Sequence, residues 1–163
     1  MRTLQTLLVF TTLTIFTLNT NAQTMTKDQQ KAEKIFLKYS NDVLELMKQE
    51  ALSMKIKGVG IVYYIPGNET QSWISKMIVV GATGNEGYNF IAIANSKASE
   101  MAETLKNSGS KVRKVKVGEF DYIGGAIKKV KSGYVLATFS GATGEQDLAV
   151  STKALDWFSQ KFE

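Results

Sequence analysis

The sequence predicts an α/β chain of the α+β kind, in which a mostly antiparallel five-stranded sheet is packed by about three helices. Helical periodicity and short β-branched or aromatic runs alternate in the order helix, two strands, helix, three strands, helix. Turn-forming residues at Pro66-Gly67-Asn68 and Ser132-Gly133 join successive strands, so each junction reads as a hairpin. No linker rich in proline and serine interrupts the chain beyond residue 22, so residues 23–163 read as a single domain.

Residues 1–22 stand apart from that domain. Arg2, an apolar run from Leu7 through Leu18 and the exit Asn19-Thr20-Asn21-Ala22 follow the charged, apolar, small-residue order of a secretory signal peptide. Cleavage after Ala22 is expected, with the mature chain exported to the periplasm or the extracellular space. The apolar run is shorter than the roughly 20 residues a spanning helix needs, and no later segment is longer, so no transmembrane segment is expected.

Within the domain, Ala32, Phe36, Tyr39, Val43 and Leu46 or Met47 recur at helical spacing, and Thr26 with Gln29 fits a capping box at the start of that helix. Strands are predicted at Gly58 to Ile65 and Trp73 to Gly81. A second helix, about Tyr88 to Leu105, carries Phe90 or Ile91, Ala94, Ala98, Met101 and Leu105 on one face and ends at Asn107-Ser108-Gly109. Three further strands are expected at Lys111 to Val117, Phe120 to Val130 and Tyr134 to Phe139. The closing helix, about Gly144 to Phe162, is predicted to turn Leu148, Thr152, Leu155, Phe158 or Ser159, and Phe162 inward.

Composition removes several kinds of chemistry. The chain has no cysteine and no histidine, which excludes disulfides, thiolate sites, the usual zinc ligands and the usual axial ligand of haem iron. The formal charge is +5, and the excess sits at Lys111, Arg113, Lys114, Lys116, Lys128, Lys129 and Lys131. Lysines on a sheet edge discourage edge-to-edge aggregation, which is the reading adopted here; a nucleic-acid partner is not expected for an exported chain.

The tetrapeptide Gly-Ala-Thr-Gly occurs at Gly81 to Gly84 and again at Gly141 to Gly144, each time between an apolar strand and a helix. Helix capping accounts for both copies, because Thr83 precedes Glu86, and Thr143 precedes Gln146, by the three residues of a capping box. A second reading takes Gly81, Gly84 and Gly87 as the glycine fingerprint of a dinucleotide site and the protein as a nucleotide-binding reductase. A helix and a hairpin strand before Gly81, and acidic Glu145 and Asp147 after the second copy, weigh against it.

A third reading comes from a longer run. Gly124-Gly125-Ala126-Ile127, then Ser132-Gly133-Tyr134-Val135-Leu136, then Ser140-Gly141-Ala142-Thr143-Gly144-Glu145-Gln146-Asp147-Leu148 resembles the closing segment of the HbpS/GlcG-like haem-binding protein family, related to the PduO C-terminal-like domain. Upstream the match is looser, at Gly58-Val59-Gly60-Ile61-Val62 and at Ser96-Lys97-Ala98. The resemblance implies a profilin-like or PAS-like sandwich, often homo-oligomeric, that binds a small molecule such as haem. The sequence departs from the family after Gly125, where Ile127 or Lys128 stands in place of the usual proline, and it has no histidine for iron.

On these readings the candidate ligand-binding residues are Gly81, Thr83, Gly84, Gly124, Gly125, Gly141, Thr143 and Gln146; the loops at Gly81 to Gly84 and Gly141 to Gly144 offer free amides at helix starts that suit haem propionates or another anionic ligand. Tyr63, Tyr64, Tyr88, Tyr122, Tyr134 or a methionine are the groups left to hold iron. Glu119 and Asp121 alternate on a predicted strand, a spacing that places both on one face, and are read as charge balance for the neighbouring basic residues. Ser108 and Lys111 match Ser-x-x-Lys without the companion motifs of acylating enzymes. A binding protein is therefore expected in preference to an enzyme.

Overall fold

The computed structural model describes residues 25–163; the predicted signal peptide lies outside them. The fold is α+β: three helices enclose a four-stranded antiparallel sheet among the described residues. Helix α1 spans Lys27–Ser53, strand β1 Gly58–Pro66, β2 Ile74–Val80, α2 Phe90–Thr104, β3 Gly125–Val130, β4 Gly133–Ser140 and α3 Gly144–Ser159, with a short 3-10 turn at Gln160–Phe162. The strand order is β2-β1-β4-β3.

Helix α1 starts where the sequence puts it. The Thr26 hydroxyl accepts from the Gln29 amide at 3.2 Å, and the Gln29 side chain accepts from the Thr26 amide at 2.7 Å, closing a capping box. Ala32, Phe36, Val43, Met47 and Ala51 then form a buried stripe. Strand β1 is central and covered on both faces, which is why it reads as a continuous apolar run. Its alternate residues serve two cores. Val62 and Tyr64, with Val135, Ala137 and Phe139 of β4, pack under α1 and α3, whereas Val59, Ile61, Tyr63 and Ile65, with Leu136, pack under α2. On the first face Tyr64 stacks on Phe162, and Phe158 meets Phe36 and Phe162 edge-on.

Three expectations need correction. The fifth strand, at 111–117, does not form. Lys111 has φ 55°, Gly118 φ 93° and Asp121 φ 54°, which breaks the extended path, and side-chain ion pairs hold the segment in place of a ladder. Arg113 grips Glu119 with two bonds of 2.7 and 2.6 Å and reaches Glu103 at 3.1 Å, while Lys116 also pairs with Glu103. Glu119 and Asp121 accordingly share no strand face, and the strand expected from Phe120 begins only at Gly125.

Secondly, Thr83 does not cap α2. The Asn85 side chain accepts from the amides of Gly87 and Tyr88, both at 2.9 Å, and that turn carries the chain on to Asn89, whose side chain caps the helix at the Ala92 amide. Thirdly, the inward face of α3 departs from the predicted one in its first turns, while Leu155, Phe158 and Phe162 are buried as expected. Asp147, Val150, Ser151, Ala154, Leu155 and Phe158 turn inward, while Leu148 is half-buried and Thr152 exposed.

Candidate functional site

At one end of the sheet the start of β1 meets the ends of β2 and β4. Gly58 pairs with Val80 on one side, and on the other a Cβ at Gly58 would lie 2.3 Å from the Ser140 carbonyl. Both Gly-Ala-Thr-Gly loops leave the sheet here. Gly141, at φ 151°, passes so close to the Lys57 carbonyl that a Cβ would lie 2.1 Å from it, and Gly81 turns against the Lys57 side chain.

Between the chain from Asn85 to the start of α2, the second of these loops, the start of α3 and the 121–123 segment lies a cleft of about 580 Å³, within the range of small-molecule sites. Tyr88, Phe90 and Ile93 wall it on one side, Tyr122 and Ile123 on the other. Tyr88 and Tyr122 are exposed, and Tyr122 stacks on Phe120 with ring centroids 5.6 Å apart.

The floor is charged. Lys97 of α2 and Asp147 of α3 both line the cleft, and both are nearly sealed from solvent, at 2% and 3% exposure. Lys97 Nζ donates to Asp147 Oδ2 at 2.8 Å and to the Phe139 carbonyl at 2.7 Å. Asp147 Oδ1 accepts from the Ala142 amide at 3.1 Å. Burial holds the Lys97 ammonium below its usual range and the Asp147 carboxyl above its own, while their mutual attraction opposes both shifts.

Gly124 admits the pair. A Cβ at that position would fall 2.3 Å from Lys97 Nζ and 2.7 Å from Asp147 Cβ, and the residue adopts φ 133°. Its carbonyl accepts from the Ser151 hydroxyl at 2.7 Å, which fixes the Gly124 backbone against α3.

The sequence-predicted residues divide around this floor. Gly141 lines the cleft and Gly124 lies against its charged pair. Thr143 and Gln146 form the capping box of α3, at 3.3 and 3.4 Å. Gly125 donates its amide to Ser108 Oγ at 2.8 Å, behind the cleft. Gly81 sits at Lys57, and Thr83 and Gly84 border a separate shallow groove with Glu86, Gly87 and Asn89.

Of the tyrosines considered for iron, Tyr88 and Tyr122 reach the cleft. Tyr63 and Tyr64 are buried in the sheet, bonded to Asn95 and Ser132. Lys97, Ser140 and Asp147 were not among the candidate site residues. The available signal for Lys97 was its place between Ala94 and Met101 on the apolar stripe of α2, where a lysine needs a partner.

The electrostatics do not favour an anion. Besides the Lys97–Asp147 pair the lining carries Asp121 and Glu145, so two carboxylates stand without a lining cation to balance them. Among the described residues no group of three or more His, Cys, Asp or Glu is placed to hold a metal ion. A dinucleotide site of the fingerprint type is not built here either: β2 runs antiparallel to β1, and the helix after the glycines starts only at Phe90.

The molecule is thus an α+β sandwich with a polar-floored, aromatic-walled cleft where two strand-to-helix loops converge. No family model matches the chain, and no curated protein sequence matches it. Among solved structures it is similar to one described as the crystal structure of Ybr137w protein, at 17% identity and a TM-score of 0.49, over 83% of this chain and 90% of that one.

Proposed function

We propose that the chain is an exported binding protein, of the kind the HbpS/GlcG resemblance implies, that takes a flat, largely apolar small molecule in the cleft at the ends of β2 and β4. The observation that carries this reading is the cleft itself: apolar and aromatic walls over a floor of buried polar groups, the usual make-up of a ligand site. Among the described residues no helix is long and apolar enough to cross a membrane.

Haem is the specific ligand the resemblance suggests, and the cleft suits part of it. Aromatic walls favour a planar ring, and Tyr88 and Tyr122 offer phenols to iron in a chain without histidine. Bound haem iron would supply Lewis-acid and redox chemistry. Its propionates fit less well, because Asp121 and Glu145 oppose further carboxylates. An uncharged flat ligand meets no such opposition.

Homo-oligomerisation belongs to the same proposal. It is supported by the open outer edge of β2, beside which Trp73, Met77 and Val79 remain exposed.

Native mass spectrometry of the protein recovered from the periplasm or medium tests ligand, oligomer and export together. A bound small molecule displaced by Tyr122→Asp is expected. Haemin titration of the purified protein is expected to give no imidazole-type spectrum, and any tyrosinate spectrum should vanish in Tyr88→Phe/Tyr122→Phe. A protein recovered without ligand, with no response to any flat aromatic probe, would reject the reading.

A further inference from the structure

Two polar side chains on the cleft floor have hydrogen-bonding capacity that no described residue uses. An ammonium has three donors. Among the described residues Lys97 Nζ has two acceptors, the Phe139 carbonyl and Asp147 Oδ2. The second group is Ser140, the last residue of β4, which lines the same cleft at 3% exposure. Its hydroxyl makes no side-chain hydrogen bond to any described residue, whereas Ser108 and Ser151, equally buried nearby, both have partners at 2.7 to 2.8 Å. Lys97 Nζ bonds the carbonyl of Phe139, the residue before Ser140, so the two spare donors lie on neighbouring parts of the floor, open to an acceptor that enters the cleft.

The charge of that acceptor follows from its surroundings. A carboxylate at the floor would share Lys97 with Asp147 and lie within a lining that already holds Asp121 and Glu145. An ammonium would place two cations together and, although the Ser140 hydroxyl could accept from it, would leave the Lys97 donor unmet. A carbonyl oxygen satisfies both donors without adding charge to a low-dielectric floor.

We infer that Lys97 and Ser140 form the polar recognition point of the cleft, and that its ligand is a flat apolar molecule ending in an uncharged carbonyl, a ketone or carboxamide, directed at the floor. The inference rests on the reading of the cleft as a ligand site and adds the polar group by which the ligand is chosen. It requires no covalent step: Lys97 stays paired with Asp147 and acts as a donor.

Three probes of nearly equal shape separate the possibilities: acetylnaphthalene, ethylnaphthalene and naphthoate, followed by NMR through the ring signals of Tyr88 and Tyr122 in the purified protein. The ketone is expected to bind about tenfold or more tightly than either of the others, as one charge-assisted hydrogen bond gained without a new charge implies. Ser140→Ala, which removes one hydroxyl, is expected to shrink that preference. Lys97→Met combined with Asp147→Leu, which removes the pair while keeping the floor filled, is expected to abolish it. Equal affinity for ketone and hydrocarbon in the wild type would overturn the recognition point while leaving the cleft a ligand site, as would a preference unchanged by Ser140→Ala and by the double variant. Tightest binding of naphthoate would overturn the uncharged class. Failure of all three probes to move the Tyr88 or Tyr122 signals would overturn the cleft reading with it.

Discussion

Lys97 and Asp147 lie 50 residues apart in the chain and 2.8 Å apart in the fold, joining α2 to the start of α3 past the end of β4. Each alone would be an isolated buried charge. Removing one partner is therefore far costlier than removing both. Lys97→Met is expected to lower stability by about 3–5 kcal/mol by leaving Asp147 uncompensated, and adding Asp147→Leu is expected to recover much of that loss. Urea unfolding of the wild type, the two single variants and the double variant checks this. Additive losses would mean that the two side chains are not energetically coupled.

Glu119 should give the molecule a local acid sensitivity. The Arg113 guanidinium, with two bonds to it, holds its carboxyl down from an ordinary value near 4.5 to about 2. A depressed folded-state value contributes stability that is present above the unfolded value and is lost as pH falls through the folded one. The 106–124 segment is thus expected to loosen between about pH 4.5 and 2 while the sheet persists. Amide exchange read by NMR should show the change at 109–119 before β1. In Glu119→Gln the segment should already exchange fast at neutral pH, with the acid step gone.

Gly124 has a different task from the one its place in the sequence suggests. The sequence makes it a candidate ligand contact on a strand, and in the fold its missing side chain is the space that Lys97 Nζ and Asp147 occupy. Gly124→Ala must displace a buried ion pair and also accept φ 133°. A loss of several kcal/mol is expected, together with altered ring signals of Tyr122 two residues away. A melt within about 0.5 kcal/mol of the wild type would show that the pair has room to move.

The elements legible in the sequence are those governed by local rules. The Thr26–Gln29 box, the Pro66-Gly67 and Ser132-Gly133 hairpins and the apolar run of β1 each depend on neighbours within a few residues, and each stands where it was expected. Long-range pairing was not legible. Lys111 to Val117 alternates like a strand, yet Glu103, on the preceding helix, and Glu119 capture its Arg113 and Lys116, and the valines stay exposed. Asp147 is absent from the inward face that hydrophobic periodicity predicts for α3, because that periodicity counts apolar residues alone. Its partner 50 residues earlier turns Asp147 inward and forms the cleft floor with it. The convergence of the two glycine loops was likewise hidden, since it depends on Gly58 standing between strands that are far apart in sequence.

The two copies of Gly-Ala-Thr-Gly provide a controlled comparison of what a motif does in different surroundings. In the second copy Thr143 has extended backbone, its hydroxyl accepts from the Gln146 amide, and Gln146 returns a bond to the Thr143 amide, so two groups of the first turn of α3 are satisfied. In the first copy the same threonine is followed by Asn85, whose side chain forms a turn of its own, and α2 begins seven residues after Thr83 with Asn89 as its cap. The Thr83 carbonyl still accepts from the Phe90 amide at 3.0 Å, but that bond needs no particular side chain. Thr143→Ala is therefore expected to cost about 1 kcal/mol, Asn89→Ala a similar amount, and Thr83→Ala no more than a few tenths. Denaturant melts of the three variants test this ordering. Equal losses for Thr83→Ala and Thr143→Ala would mean that Thr83 supports α2 by a contact other than capping; no loss for Thr143→Ala would remove the box from the stability of α3 and leave its conformation to the packing of Val150, Leu155 and Phe158 alone.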